Sequence, residues 1–506
     1  MSRTEDFFKH ITEGYQTKGD FITMGAAMLD GTTVKDAFVK IPLKTLNRHG
    51  LIAGATGTGK TKTLQVMAEN LSEKGVPVLL MDIKGDLSGL AQPSPGHAKI
   101  DERHAAIGLP FDAKKFPVEI LTISDQEGVR LRATVSEFGP VLLSRILDLT
   151  DTQSGIVSVL FKYCDDRKLP LLDLADFKKV LQFSTNEGKE EVQSEYGRIS
   201  TASTGSILRK IIELEQQGGD LFFGERSFEV EDLTRIDDQG RGLISILRLT
   251  DIQDRPKLFS TFMLQLLAEI YATFPEQGDS EQPELVIFID EAHLIFKEAS
   301  KALMSQIESI VKLIRSKGIG LFFVTQNPKD IPEDVLAQLG LKIQHALRAF
   351  TAKDRKAIKL ASENYPDSDY YKTDELLTEL GTGEALISAL NEKGRPTPLA
   401  ATMLRAPMSR MDILSKKELK QLLDNSRLVA KYNNVVDRES AYELLNKKIA
   451  AIHKEEDKIA KKKESASKST RSSSRRRSTR MNPLLKIVTS ATFIRGVLGI
   501  LKRVMR

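Results

Sequence analysis

A chain of 506 residues has room for about three domains of ~150 residues each and can bury a large core. Its 41% hydrophobic and 28% charged residues exclude a collagen-like, mucin-like or wholly disordered chain, and a single cysteine, Cys164, excludes an internal disulfide and a cysteine-based zinc site. The net charge of +5 is uneven: from Lys458 to Arg506, 15 Lys and Arg face one acid, giving +14 and leaving −9 for residues 1–457, so any nucleic-acid surface on the body must be local.

Residues 1–47 are expected to form a short irregular lead-in with two short strands, Phe21–Met24 and Ala37–Ile41, too small for an independent domain. The opening MSRTEDFFKH has no apolar run, so no secretory signal is expected. From Gly50 the pattern changes. Continuous apolar runs (LIAG, VPVLLMD, GLISIL, LVIFID, GLFFVT) alternate with helical segments such as Thr61–Lys74, as buried parallel strands and their crossover helices require. The predicted class is α/β, with residues 48–135 as the first half of one domain. Over 136–220 an apolar spacing of three to four residues replaces the strand signal and predicts a helical insertion. The second half of the domain is expected at 221–405 and charged helices at 406–457. A disordered basic Ser/Arg-rich linker (458–480) and a basic amphipathic helix (481–506) follow. The most apolar stretch, 484–501, is interrupted by Lys486 and Arg495 and is not expected to span a bilayer.

Gly54, Ala55, Thr56, Gly57, Thr58, Gly59, Lys60 and Thr61 match G-x-x-x-x-G-K-[ST] between a strand and a helix. The glycines let successive N–H groups turn inward on phosphate oxygens at a helix N-terminus, while Lys60 is placed for the β- and γ-phosphates and the Thr61 hydroxyl for Mg²⁺. LVIFIDE ends a buried strand in two adjacent carboxylates, at the edge where open α/β sheets bind ligands. Asp290 is placed to hold magnesium and Glu291 to polarise a water; first-turn acids also cap helices, and the two uses are compatible.

The letters DEAH at 290–293 invite a reading as a DEAH-box helicase, but there is no room for a second RecA-like domain, and His293 reads as a structural helix residue. Gln326 ends GLFFVTQNP at the same sheet edge, an amide for the γ-phosphate or water. Arg315 precedes that strand and Arg348 follows another. Each is either a transition-state arginine for a neighbouring subunit or a surface ion-pair partner. Asp82, Lys84 and Asp86 in MDIKGDLSG either face the nucleotide or form a solvated turn.

Together GATGTGKT, DIKGDL, FIDEAH, RSKGIGLFFVTQNP, HALRAFT and GTGEALIS resemble the HerA/FtsK branch of P-loop ATPases, hexameric motors that pump DNA. The pattern over roughly residues 45–450 is nearest to a bacterial family of HerA-like ATPases, the DUF853 or YjgR-like proteins. The resemblance implies a RecA-like (ASCE) fold with a mostly parallel sheet, and ATP with Mg²⁺ as cofactors. It also implies Glu291 as catalytic base, Gln326 as sensor, and a trans-acting arginine at Arg315, with Arg348 the weaker assignment. HerA proper has an N-terminal β-barrel for which 47 residues are too few, and FtsK-type membrane helices and a winged-helix DNA reader are not found.

Two readings of function follow, with a third beside them. The first is an oligomeric, Mg²⁺-dependent ATPase, a hexameric ring, that translocates double-stranded DNA. The second is an ATP-driven module acting on protein or at an anionic membrane surface, akin to secretion and conjugation ATPases and motivated by the basic tail. The third is a slow nucleotide switch. The expected location is cytoplasmic, with peripheral attachment at the membrane or nucleoid as the alternative.

Overall fold

The computed structural model describes residues 2–469 apart from 253, 254, 279, 299, 300, 350, 435 and 437. Its contacts divide the chain into residues 1–445 and 446–506.

The first unit is built on one sheet. In chain order its described strands are β1 (Phe21–Leu29), β2 (Thr32–Pro42), β3 (Gly50–Ala53), β4 (Val78–Asp82), β5 (Val118–Thr122) and β6 (Val129–Arg130). They continue as β7 (Ile244–Arg248), β8 (Leu285–Ile289), β9 (Ile319–Thr325), β10 (Leu341–Gln344), β11 (Glu384–Ser388) and β12 (Ala400–Leu404). The spatial order is β2-β1-β12-β11-β10-β3-β9-β8-β4-β7-β5-β6. From β10 to β6 all neighbours are parallel, and from β2 to β10 they are antiparallel. The expected α/β class is the one adopted.

Every residue of β3, β4, β8 and β9 is buried, which explains why these strands read as unbroken apolar runs. The Phe288 and Phe322 rings lie 5.0 Å apart at the centre of the sheet. Helix α1 spans Arg3–Gly14, and α2 (Lys60–Glu73) buries Leu64, Met67 and Leu71 in the same core.

Residues 1–47 differ from the irregular lead-in expected of them. A capping box between Ser2 and Glu5 starts α1, whose Phe7 and Ile11 are fully buried, and the β1–β2 hairpin extends the sheet by pairing β1 with β12. The segment completes the sheet rather than preceding it.

Between β6 and β7 the chain runs mainly through helices, including Val135–Ile146, Asp151–Arg167, Leu174–Thr185, Lys189–Tyr196 and Thr201–Gln216. Residues 458–469, expected to be disordered, instead continue the helix Ala441–Ser469, because KIAKKKESA is rich in good helix formers and the Ser/Arg-dense run comes later. In the second unit this helix carries an ion pair between Lys458 and Glu455 at 3.6 Å. The rest of the basic linker and the amphipathic helix at 481–506 lie outside the described residues. Among the described residues no helix is long and apolar enough to cross a membrane.

Glu69 ties α2 to the segment after β12. Its carboxylate accepts the N–H groups of Met408 (2.7 Å) and Ser409 (2.9 Å) and the Ser409 hydroxyl. Burial nevertheless pushes its pKa up to about 7. A carboxyl raised in the native state keeps a proton that the unfolded chain has lost, so stability falls as pH rises from about 4.5 to 7, by on the order of 3 kcal/mol for a shift of this size. Wild type is expected to lose melting temperature relative to Glu69→Gln as pH is raised from about 5 to 8. A constant difference across that range would remove the assignment.

Candidate nucleotide-binding and hydrolytic site

Because β10, β3, β9, β8 and β4 are successive parallel neighbours, the residues following each emerge at one edge of the sheet, on strands ~4.8 Å apart. In that order the edge carries His345 and Ala346, the loop GATGTGKT, Gln326, the pair Asp290–Glu291, and Lys84.

The loop is held from both sides. Gly54 donates its N–H to Thr325 O (3.3 Å) and Ala55 to Ala346 O (2.9 Å), while Thr58 O accepts from Gly383 N (3.0 Å). Gly54, Gly57 and Gly59 have φ of 153°, 78° and 111°, conformations open to glycine and strained for other residues. A Cβ at Gly54 would lie 2.5 Å from the His345 Cβ, so this position also needs glycine for space. Lys60, at the first turn of α2, folds back to donate to Gly54 O (2.7 Å) and Ala55 O (3.1 Å). Burial, and then the nearby Lys84 ammonium, lower the Lys60 pKa. His345 lies beneath the loop with Nε2 2.8 Å from the Thr63 hydroxyl; burial and Lys60 bring its pKa down to about 4, so the ring is neutral at pH 7.

Asp290 and Glu291 are 4% and 6% exposed, which for two adjacent carboxylates demands compensation. Lys84 supplies it, with Nζ 2.8 Å from Glu291 Oε1 and 3.8 Å from Asp290 Oδ2. Asp290 Oδ1 accepts the Glu291 N–H at 2.9 Å, and burial, against the pull of Lys84, holds its pKa up at about 6. Burial also acts against charge on Glu291, but the Lys84 contact outweighs it and leaves that pKa below the ordinary value.

Gln326 bridges the loop to this pair. Its Oε1 accepts from the Thr56 hydroxyl (3.4 Å), and its Nε2 donates to Glu291 Oε1 (3.5 Å). His293, at the start of the helix His293–Glu298, places Nδ1 3.3 Å from Glu291 Oε2, so it borders the site as well as belonging to a helix. Glu291 has φ 44°, left-handed for a residue that is neither Gly nor Asn, at a cost of about 1–2 kcal/mol. That turn directs the carboxylate back toward Lys84 and Gln326 instead of along the strand.

The donor set suits a nucleotide with a divalent cation. Thr61 is half-buried and its hydroxyl makes no hydrogen bond among the described residues, while Asp290 offers a buried carboxylate across the edge. The Thr61 hydroxyl and, through water, the Asp290 carboxylate would hold a magnesium ion, which would supply neutralisation of phosphate charge.

The two arginines are placed differently. Arg348 is exposed just past His345 and Ala346, on the loop's side of the sheet. Arg315 lies in the turn Arg315–Lys317 before β9, at the opposite edge, and a seven-residue strand puts it about 20 Å from Gln326. It lines a cleft of about 460 Å³ with Arg48, Lys312 and Lys342, and no acidic residue is among the cleft's lining residues. The cations joining Arg315 have no motif of their own: Arg48 and Lys342 come from before β3 and within β10, and only the sheet order brings them to it.

The model of a family described as helicase HerA-like C-terminal matches residues 28–494. The DNA double-strand break repair helicase HerA of Sulfolobus acidocaldarius is 23% identical over 69% of this chain and 64% of its own length, so the chain spans less than two thirds of that relative. The HerA of Saccharolobus solfataricus is 24% identical over 74% of this chain and 68% of its own. Among solved structures, the bacterial conjugative coupling protein TrwBdeltaN70 aligns with a TM-score of 0.51 at 14% identity, over 80% of this chain and 94% of its own. The plasmid coupling protein TrwB in complex with ADP and Mg²⁺ aligns with a TM-score of 0.50 at 14% identity, over 79% and 94%. These likenesses show the fold alone, a large mostly parallel α/β sheet with helices.

Proposed function

The chain belongs to the helicase HerA-like C-terminal family, and from that premise we propose that it is a Mg²⁺-dependent ATP hydrolase working as a ring of identical subunits, a hexamer, that translocates double-stranded DNA. The observation that carries this reading is the meeting of Lys60, Gln326, Asp290 and Glu291 on neighbouring strands at one sheet edge.

In this reading the N–H groups of residues 54–61 bind the phosphates, and Lys60 leaves the Gly54 and Ala55 carbonyls for the β- and γ-phosphate oxygens. Thr61 and Asp290 hold the magnesium ion, whose chemistry is to neutralise phosphate charge. Glu291 accepts the proton of the attacking water, which Gln326 orients. Arg315, remote from its own loop, presents its guanidinium to the γ-phosphate of the next subunit, and the cationic cleft around it supplies the matching field. Arg348 is the second candidate for that role.

ATP turnover with Mg²⁺, measured with and without duplex DNA alongside a native-mass measurement, tests the proposal. Expected are a ring mass and a turnover that duplex DNA raises several-fold, as electrostatic binding of the polymer at moderate salt allows. A monomer whose turnover ignores DNA would remove the translocase part and leave the hydrolase. The +14 charge of residues 458–506 favours a second reading, action at an anionic membrane surface. Loss of liposome binding, but not of duplex binding, on deleting those residues would favour it.

A further inference from the structure

Lys84 stands in the hydrolytic site without a part in the roles above. It follows β4 on a turn anchored by Asp82, whose carboxylate accepts the N–H groups of Gly85 (2.7 Å), Asp86 (3.2 Å) and Leu87 (3.2 Å). The turn is fixed, whereas the lysine side chain, 38% exposed, has four rotatable carbons with which to move its charge. Its ammonium now clasps Glu291 Oε1 at 2.8 Å. Lys60, the other cation of the edge, rests on backbone carbonyls instead.

This arrangement cannot persist once a triphosphate is bound. A carboxylate held in a 2.8 Å ion pair is a poor proton acceptor, so Glu291 has to be released before it can serve as a base. A divalent cation at Asp290 repels the Lys84 ammonium from that side, and a terminal phosphate near Lys60 and Gln326 draws it. A diphosphate supplies no such terminal phosphate.

We propose that Lys84 is a γ-phosphate-contacting residue that clasps Glu291 in the nucleotide-free site and transfers to the terminal phosphate of a bound triphosphate, freeing the glutamate for the attacking water. The proposal rests on the ATPase reading and adds to it the means by which triphosphate is told from diphosphate.

The test uses the full chain with Mg²⁺ and compares the affinities of ADP and a non-hydrolysable ATP analogue in wild type, Lys84→Met and Lys84→Arg. In Lys84→Met the affinity for the analogue is expected to fall roughly tenfold, the scale of one charge-assisted hydrogen bond, with ADP affinity held within about twofold. Lys84→Arg is expected to recover most of the preference for triphosphate, and thermal melting reports whether each variant is folded. An equal loss for both nucleotides would mark Lys84 as a structural pin and overturn the proposal, as would unchanged affinities. If wild type binds neither nucleotide, the ATPase reading fails first and this one with it; a wild type that binds both while the variant's preference stays intact fails here alone.

Discussion

Replacing Glu291 with Gln is expected to lower ATP turnover by roughly 10³-fold without weakening nucleotide binding. The amide keeps the shape of the side chain and can still accept from Lys84 and Gln326, which now contact Oε1 at 2.8 and 3.5 Å, so the site need not rearrange. What the substitution removes is the capacity to take a proton from water. The loss should therefore fall on kcat, with equilibrium binding of a non-hydrolysable analogue preserved. Asp290→Asn, by contrast, touches a cation ligand, and its effect should depend on magnesium concentration. Turnover of Glu291→Gln within tenfold of wild type would show that another group activates the water, and His293, 3.3 Å from Glu291 Oε2, would be the first to test.

The parts of this site visible in the amino-acid sequence are those that a strand delivers. LVIFIDE and GLFFVTQ can be read because a strand buried on both faces is almost wholly apolar, so the polar residues that end the run mark the edge of the sheet. Parallel packing then places every such residue at the same edge. The antiparallel side was less legible: β1 finds β12 nearly four hundred residues away, and neither strand's alternation names its partner. The helix α1 did carry signals, the Ser2/Glu5 capping box and Phe7 and Ile11 four residues apart on one face, but twelve residues dense in charge offer only those two buried positions to weigh.

Other features are beyond a linear reading in principle. The left-handed turn at Glu291 is a conformation imposed by its surroundings on a residue with no preference for it. The grip of Lys84 on Glu291 joins positions 84 and 291 through the β4–β8 pairing alone. In the tail, composition reads residues 458–469 as disordered because the lysines that raise its net charge are, with Ala and Glu, also good helix formers.

Equal mixtures of Lys60→Ala and Arg315→Ala chains are expected to recover turnover that neither variant shows alone. Each substitution by itself should cost about 10³-fold or more, the first by removing phosphate binding and the second by removing transition-state charge. The sheet makes the two losses complementary. Lys60 begins at the carboxyl end of β3 and Arg315 lies before β9, whose parallel pairing with β3 puts the two at opposite edges, about 20 Å apart along the strands. No side chain spans that distance, so an arginine at this position can reach only a nucleotide held by another copy. Random mixing then gives about one interface in four with an intact lysine on one side and an intact arginine on the other, and about a quarter of wild-type turnover if interfaces act independently. If rings of mixed composition form by native mass and still do not turn over, Arg315 is not the trans-acting arginine. The exposed Arg348, already on the loop's side of the sheet, would then become the arginine to examine.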